Sequence, residues 1–311
     1  MKEILIAAPR GFCAGVDRAI SIVEKALEVY GTPLYVHHEI VHNRHVVDGL
    51  RAKGVIFVDT LDEIPANQTV IFSAHGVSPA VVQNAIDKNL KILDATCPLV
   101  TKVHIEARRY AREGYSIVLI GHKDHIEARG TYGEAPEKIT IVETLADIEK
   151  LRYGSGEKLA YLTQTTLSVR DTRDLIVRLK ERFPQIEGPG SSDICYATTN
   201  RQEAVSAIAP KTDVMFVIGS RNSSNSNRLK ELAESEGSRA YLIDSAADLS
   251  TEQLQDAQRV GVTAGASAPE ILVKQVTQRL QQDFGFKELQ EIRIKEEDTT
   301  FKLPRELLSR T

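Results

Sequence analysis

Ile4-Leu5-Ile6-Ala7-Ala8-Pro9-Arg10-Gly11-Phe12-Cys13 opens a pattern that the chain states twice more, in Lys91-Ile92-Leu93-Asp94-Ala95-Thr96-Cys97 and in Ser191-Ser192-Asp193-Ile194-Cys195. Each time a short apolar or β-prone segment ends at a cysteine and a helical pattern follows, at Gly15 to Tyr30, Leu99 to Gly114 and Thr199 to Ala209. In the first of these, Val16, Ala19, Ile20, Val23, Ala26 and Leu27 fall on one helical face. A second strand then ends in a polar cluster. Leu34-Tyr35-Val36 runs into His37 to Asn43, Ile117 to Ile120 into Gly121 to Glu127, and Val214 to Ile218 into Gly219 to Asn225. The separations from Cys13 to His42, Cys97 to His125 and Cys195 to Asn225 are nearly equal. A third strand ends in small polar residues, at Val70 to Ser78, Leu159 to Ser168 and Val260 to Ser267. Pro79 and Pro269 stand where a first helical turn tolerates proline.

The chain therefore reads as three pseudo-equivalent αβ units of about 90 residues each. Alternating strands and helices predict an α/β fold with parallel sheets, whose ligand groups sit at the carboxyl ends of the strands. The expected divisions are 1–95 with Cys13, 96–193 with Cys97 and 194–285 with Cys195, followed by a charged, weakly periodic C-terminal extension, 286–311. Phe183 to Gly190, rich in proline and glycine, reads as a linker. Three such units could turn their strand ends, and their cysteines, toward one centre.

Composition limits the function classes. The 311 residues carry a net charge of −4, 42% apolar residues and no Trp, an ordinary globular profile. Nothing resembles a membrane span, and the N-terminus lacks an apolar stretch of signal-peptide length. Mild acidity gives no general reason to bind nucleic acid. Three widely spaced cysteines do not make a disulfide framework, and reduced thiols in the cytoplasm fit better.

Several chemistries compete for these cysteines. They can be small buried apolar residues. Three thiolates can instead hold zinc together with a histidine, or an iron–sulfur cluster with one open iron. A thiol hydrolase would use Cys13 or Cys97 and leave the others idle. A redox sensor would hold the metal without catalysis. The polar clusters offer His42, His75, His125, Thr165, Thr166, Ser223, Ser224, Asn225 and Ser267, good donors to a phosphate or diphosphate, several of them where helices begin. Taken singly, each reads as a solvated residue or a helix cap, and their recurrence argues for one site. Glu127, two residues beyond His125, is an acid that a dry site could tune for proton delivery. His38-Glu39-Ile40-Val41-His42 matches the zinc-protease pattern H-E-x-x-H but follows a strand, where that motif needs a helix. No glycine-rich nucleotide motif is present.

Longer stretches carry a resemblance. Pro9 to Ala19, Val41-His42-Asn43, Phe72 to Gly76, Asp94 to Pro98, Thr163 to Ser168, Cys195 to Gln202, Ser223 to Asn227 and Thr263 to Ser267 resemble, in order, the LytB family of 4-hydroxy-3-methylbut-2-enyl diphosphate reductases. The resemblance spans about residue 4 to about residue 280. It implies three αβ domains in a trefoil around a central [4Fe-4S] cluster, with Cys13, Cys97 and Cys195 as its ligands. It implies that His42, His75, His125, Ser223, Ser224, Asn225 and Ser267 hold the substrate diphosphate, that Glu127 donates a proton and that Thr165 relays it. The implied reaction is the last step of the methylerythritol phosphate route to isoprenoids. The substrate's C4 hydroxyl, on the open iron, leaves as water, giving isopentenyl and dimethylallyl diphosphate. Ferredoxin or flavodoxin supplies the electrons in the cytoplasm. One departure stands out: the family's usual His-Pro-Glu is His125-Ile126-Glu127 here.

Overall fold

The computed structural model describes residues 2–308. Along the chain come β1 (Glu3–Ala8), α1 (Ala14–Tyr30), β2 (Leu34–His37), α2 (Arg44–Ala52), β3 (Val55–Val58), β4 (Thr69–Phe72), α3 (Pro79–Asp87), β5 (Lys91–Asp94), α4 (Pro98–Arg112), β6 (Ser116–Ile120), α5 (Ile126–Tyr132), β7 (Ile139–Val142) and α6 (Leu145–Lys150). There follow β8 (Leu159–Thr163), α7 (Val169–Arg182), α8 (Tyr196–Ile208), β9 (Val214–Ile218), α9 (Ser224–Ser235), β10 (Arg239–Ile243), β11 (Arg259–Ala264), α10 (Glu270–Phe284), β12 (Glu288–Arg293) and α11 (Arg305–Leu308). The fold is α/β with three sheets, ordered β10-β9-β11-β1-β12, β3-β2-β4-β5 and β7-β6-β8. Every described pairing between these strands is parallel.

Two compact units contain these sheets. The first comprises Met1–Asp17, Val41–Ala52 and Tyr196–Thr300 and holds the five-stranded sheet; the second comprises Arg18–Ile40, Lys53–Cys195 and Phe301–Thr311 and holds the other two. Strand pairing thus does not follow contiguous thirds of the chain. β1 precedes β2 in sequence yet pairs with β11 and β12.

In the first unit, alternation along the strands builds a core on each sheet face. Ile4 and Ile6 of β1 and Val214, Phe216 and Ile218 of β9 pack with Leu272, Val276 and Leu280 of α10. Leu5, Ala7, Met215 and Val217 face the other way, onto Ala204, Val205 and Ile208 of α8 and Leu229 and Ala233 of α9. The second unit repeats this around β6. Val118 and Ile120 meet Leu175 and Leu179 of α7, whereas Ile117 and Leu119 meet Val103, Ala107 and Tyr110 of α4. With both faces covered, the strands read as nearly continuous apolar runs, and parallel pairing sends neighbouring strand ends to the same edge of a sheet.

Two segments differ from the sequence reading. Phe183 to Gly190 is no loose linker: Phe183 and Ile186 are buried, and the Tyr161 N–H donates to the Glu187 carbonyl at 2.8 Å. In the extension, β12 adds a strand to β1, in register from Glu3 beside Glu288 to Ala8 beside Arg293.

Candidate active site

All three cysteines stand directly before a helix, Cys13 before α1, Cys97 before α4 and Cys195 before α8, and none forms a disulfide. The unsatisfied N–H groups of a helix start favour an anion, so these positions suit thiolates. Burial pushes the Cys13 thiol pKa up; the Arg201 charge and the N–H groups of Val16 and Gly15 oppose that rise without cancelling it. Three free cysteines, each at a helix start, are a donor set that fits an iron–sulfur cluster. Among the described residues, no three His, Cys, Asp or Glu side chains could hold one metal ion. That concerns a single ion, because in a cubane each thiolate binds a different iron.

In the second unit the candidate residues join through direct contacts. Cys97 N–H donates to the Ala74 carbonyl at 3.0 Å, and Cys195 N–H to the Thr165 carbonyl at 3.1 Å. Ser73 Oγ lies 3.2 Å from His75 Nδ1, and the rings of His75 and His125 meet edge to face at 5.9 Å. His125 caps α5, its Nδ1 accepting the Glu127 N–H at 3.2 Å, which leaves Nε2 to carry the proton of the neutral ring. Ile126 occupies the first helical position. Proline is favoured there because the N–H has no intrahelical partner, so isoleucine keeps the cap and loses only pre-organisation.

Glu127 is 3% exposed. Its carboxylate accepts the Thr165 N–H at 2.6 Å and the Thr165 hydroxyl at 3.0 Å. Burial pushes its pKa up to about 7; the two Thr165 bonds oppose the shift but do not cancel it. A carboxyl so tuned is half-protonated near neutral pH and can give a proton away.

In the first unit a second cluster forms at the carboxyl ends of three adjacent strands, β9, β11 and β1. Ser267 Oγ donates to the His42 carbonyl at 2.8 Å, and Asn222 Nδ2 lies 3.2 Å from His42 Nδ1. Cys13 N–H reaches the Ala266 carbonyl at 3.3 Å. Ser223 caps α9, and Ser224 and Asn225 begin it, all buried. Both polar atoms of the Asn225 amide are buried without a hydrogen-bond partner. An unpaired buried amide costs about 1–3 kcal/mol. Placed at a helix start among hydroxyls, it is suited to an anionic ligand. His38 to His42 forms no helix, so the zinc-protease motif lacks its structural context.

The family model described as "LytB protein" matches residues 4–281. This chain belongs to the LytB protein family. Two proteins named 4-hydroxy-3-methylbut-2-enyl diphosphate reductase, from Acinetobacter baylyi and Aromatoleum aromaticum, are 57% identical over 309 residues and 56% over 306, covering 98% of each chain. The solved E-1-hydroxy-2-methyl-but-2-enyl-4-diphosphate reductase from Plasmodium falciparum is 41% identical, with a TM-score of 0.96 over 99% of this chain and 97% of that one. A second solved reductase, described as the terminal enzyme of the non-mevalonate pathway, is 35% identical with a TM-score of 0.65, over 91% of this chain and 100% of that one.

Sequence reasoning missed the groups behind the candidate residues. Lys102 Nζ reaches Asp193 at 2.9 Å, and Asp193 accepts the Thr163 N–H at 3.0 Å, tying the segment before Cys195 to the end of β8. His104 and Arg108 each lie 2.7 Å from the buried Glu134. The His104 ring lies so close under Gly76, which has φ +79°, that a Cβ there would come within 3.1 Å of it. Spacing within α4 places His104 and Arg108 on one face, but nothing in the sequence names Glu134 as their partner.

Proposed function

We propose that this chain reduces (E)-4-hydroxy-3-methylbut-2-enyl diphosphate to isopentenyl and dimethylallyl diphosphate, the last step of the methylerythritol phosphate route. Two electrons and two protons enter, the C4 carbon–oxygen bond breaks, and water leaves. The observation that carries this reading is the buried Glu127 carboxyl, bound by Thr165 and poised near neutral pH.

Cys13, Cys97 and Cys195 are assigned as thiolate ligands of one [4Fe-4S] cluster, which when bound supplies the electrons and a Lewis-acidic open iron. His42, His75, His125, Ser223, Ser224, Asn225 and Ser267 are assigned to the diphosphate. Binding energy from that remote group then orients the allylic end, where the bond breaks. Glu127 gives its proton toward the departing oxygen, and the Thr165 hydroxyl, 3.0 Å from the carboxylate, relays it. With Glu127 and Thr165 both buried, bulk water does not compete for that proton. A redox sensor would need neither this carboxyl nor the unpaired Asn225 amide. Ferredoxin or flavodoxin is the electron donor in this reading. The location is cytoplasmic, where thiols stay reduced; among the described residues no helix is long and apolar enough to cross a membrane.

The test is anaerobic purification with iron and sulfide quantitation and a visible spectrum, then turnover of the allylic diphosphate with reduced ferredoxin or flavodoxin. About four irons per chain are expected, with Cys97→Ser losing cluster and turnover together. A chain that stays colourless after anaerobic reconstitution, or a Cys97→Ser variant that still turns over, would overturn the proposal.

A further inference from the structure

The C-terminal segment lies beyond residues 4–281, where the family match ends. Its strand, β12, contributes little apolar burial: five of its six residues are exposed. It does carry two carboxylates back to arginines at the Cys13 loop, one to Arg10 within the loop and one to Arg201 of α8, which holds it. Glu291 on β12 accepts from Arg10 Nη1 at 2.8 Å, while the other arm of Arg10 reaches Glu270 at 2.6 Å. Glu297, just past the strand, accepts from Arg201 Nη1 at 3.1 Å and Nη2 at 3.3 Å, and from Asn200 Nδ2 at 2.9 Å.

Arg201 is wholly buried. Its Nε and Nη2 donate to the Gly11 carbonyl at 3.0 and 2.7 Å, and Nη2 also reaches the Phe12 carbonyl at 3.2 Å. The two residues before Cys13 are therefore fixed by one guanidinium. Gly11 sits at φ +65°, where its missing side chain leaves room for the Ala268 carbonyl. A buried guanidinium bound mainly to carbonyls needs a counter-charge. Asp17 also faces Arg201, but Glu297 is the carboxylate in direct contact.

We propose that the C-terminal segment is a positioning strap for Cys13: Glu291 and Glu297 neutralise Arg10 and Arg201, and Arg201 holds the Gly11–Phe12 turn that presents the thiolate. Arg201, Glu291 and Glu297 are positioning residues. The inference rests on the reading of Cys13 as a cluster ligand.

Hydrogen exchange on the full-length protein tests it, read on the segment Gly11–Asp17 and on the segments around Cys97 and Cys195, for wild type and for Glu297→Gln and Glu291→Gln. Glu297→Gln is expected to speed exchange at Gly11–Cys13 by roughly tenfold or more, with the Cys97 and Cys195 segments unchanged. Glu297→Asp should restore part of the protection, and anaerobically loaded Glu297→Gln should lose iron to a chelator faster than wild type. Unchanged exchange at Gly11–Cys13, or equal acceleration at all three cysteine segments, overturns the strap. Should Glu297→Gln not fold, the same comparison is decided by Glu291→Gln, whose carboxylate lies nearer the surface. If wild type takes up no iron, the cluster reading fails while the exchange comparison still decides the strap.

Discussion

Glu127 binds its proton more tightly in the folded protein than at the ordinary carboxyl value of 4.5, because burial removes the water that would solvate its charge. The linkage follows in sign. Folding stability from this group is fully present below pH 4.5 and is lost as pH rises through about 7. That interval corresponds to about 3 kcal/mol, an order-of-magnitude figure. Glu127→Gln keeps the shape and can still accept the Thr165 N–H, but it cannot titrate. Its stability should therefore change less than wild type between pH 5 and about 8, while turnover falls by about 10²–10⁴-fold with the cluster retained. Denaturant midpoints across that pH range check the first outcome and iron-normalised turnover the second; near-normal turnover would remove Glu127 as proton donor. At this scale the sequence was informative for Glu127, because it is an acid two residues beyond His125 in the polar cluster that follows β6. It was silent on Asp193 and Glu134, whose burial and partners come from strands and helices distant in the chain.

The beginning of α9 shows what an element needs in order to carry a site. Ser226, in the first turn of the helix, is wholly buried and donates to Ser223 Oγ at 3.0 Å. Gly219, after β9, and Gly265, after β11, leave the space it occupies; a Cβ on either would collide with the Ser226 side chain, and one on Gly265 would also meet Asn225 Nδ2 at 3.2 Å. Ser226 cannot move far without disturbing the Ser223 cap, so Gly265→Ala should displace the helix start. The expected cost is about 1–3 kcal/mol, with diphosphate affinity falling more than stability predicts; thermal melts and pyrophosphate titration measure the two. Normal affinity in Gly265→Ala would show that the close packing does not matter for the site. Elements of this kind were legible where both sheet faces are buried, as in Val214 to Ile218. β12 was not, because main-chain pairing with β1 holds it and its side chains carry no apolar period. Ala160 and Tyr161 of β8 similarly recruit Glu187, which turned an expected linker into part of a sheet edge.

For the whole molecule, the repeat in the sequence located most strand ends, but Ser191 to Ile194 before Cys195 forms no strand; nor did it show which strands share a sheet, since the partner of β1 is set by packing some 250 residues away along the chain. Of the candidate residues, Cys13, His42, Ser223, Ser224, Asn225 and Ser267 lie in the first unit, and His75, Cys97, His125, Glu127, Thr165 and Cys195 in the second. A ligand that binds only the folded chain raises its stability by about 2.7 kcal/mol at a hundred times its dissociation constant. The unpaired Asn225 amide makes this coupling testable at one residue. Without ligand, the amide is buried and unsatisfied, so Asn225→Ala removes a polar group that destabilises the fold and should leave the apparent melting temperature unchanged or higher. With pyrophosphate or substrate present, the same change removes a hydrogen bond to an anion. A tenfold loss of affinity, about 1.4 kcal/mol, would then cut the ligand-induced rise at that concentration to roughly half. Melting curves of both proteins with and without ligand give the four values needed. An equal rise in both would mean that Asn225 does not touch the anion, and its buried amide would then need another partner.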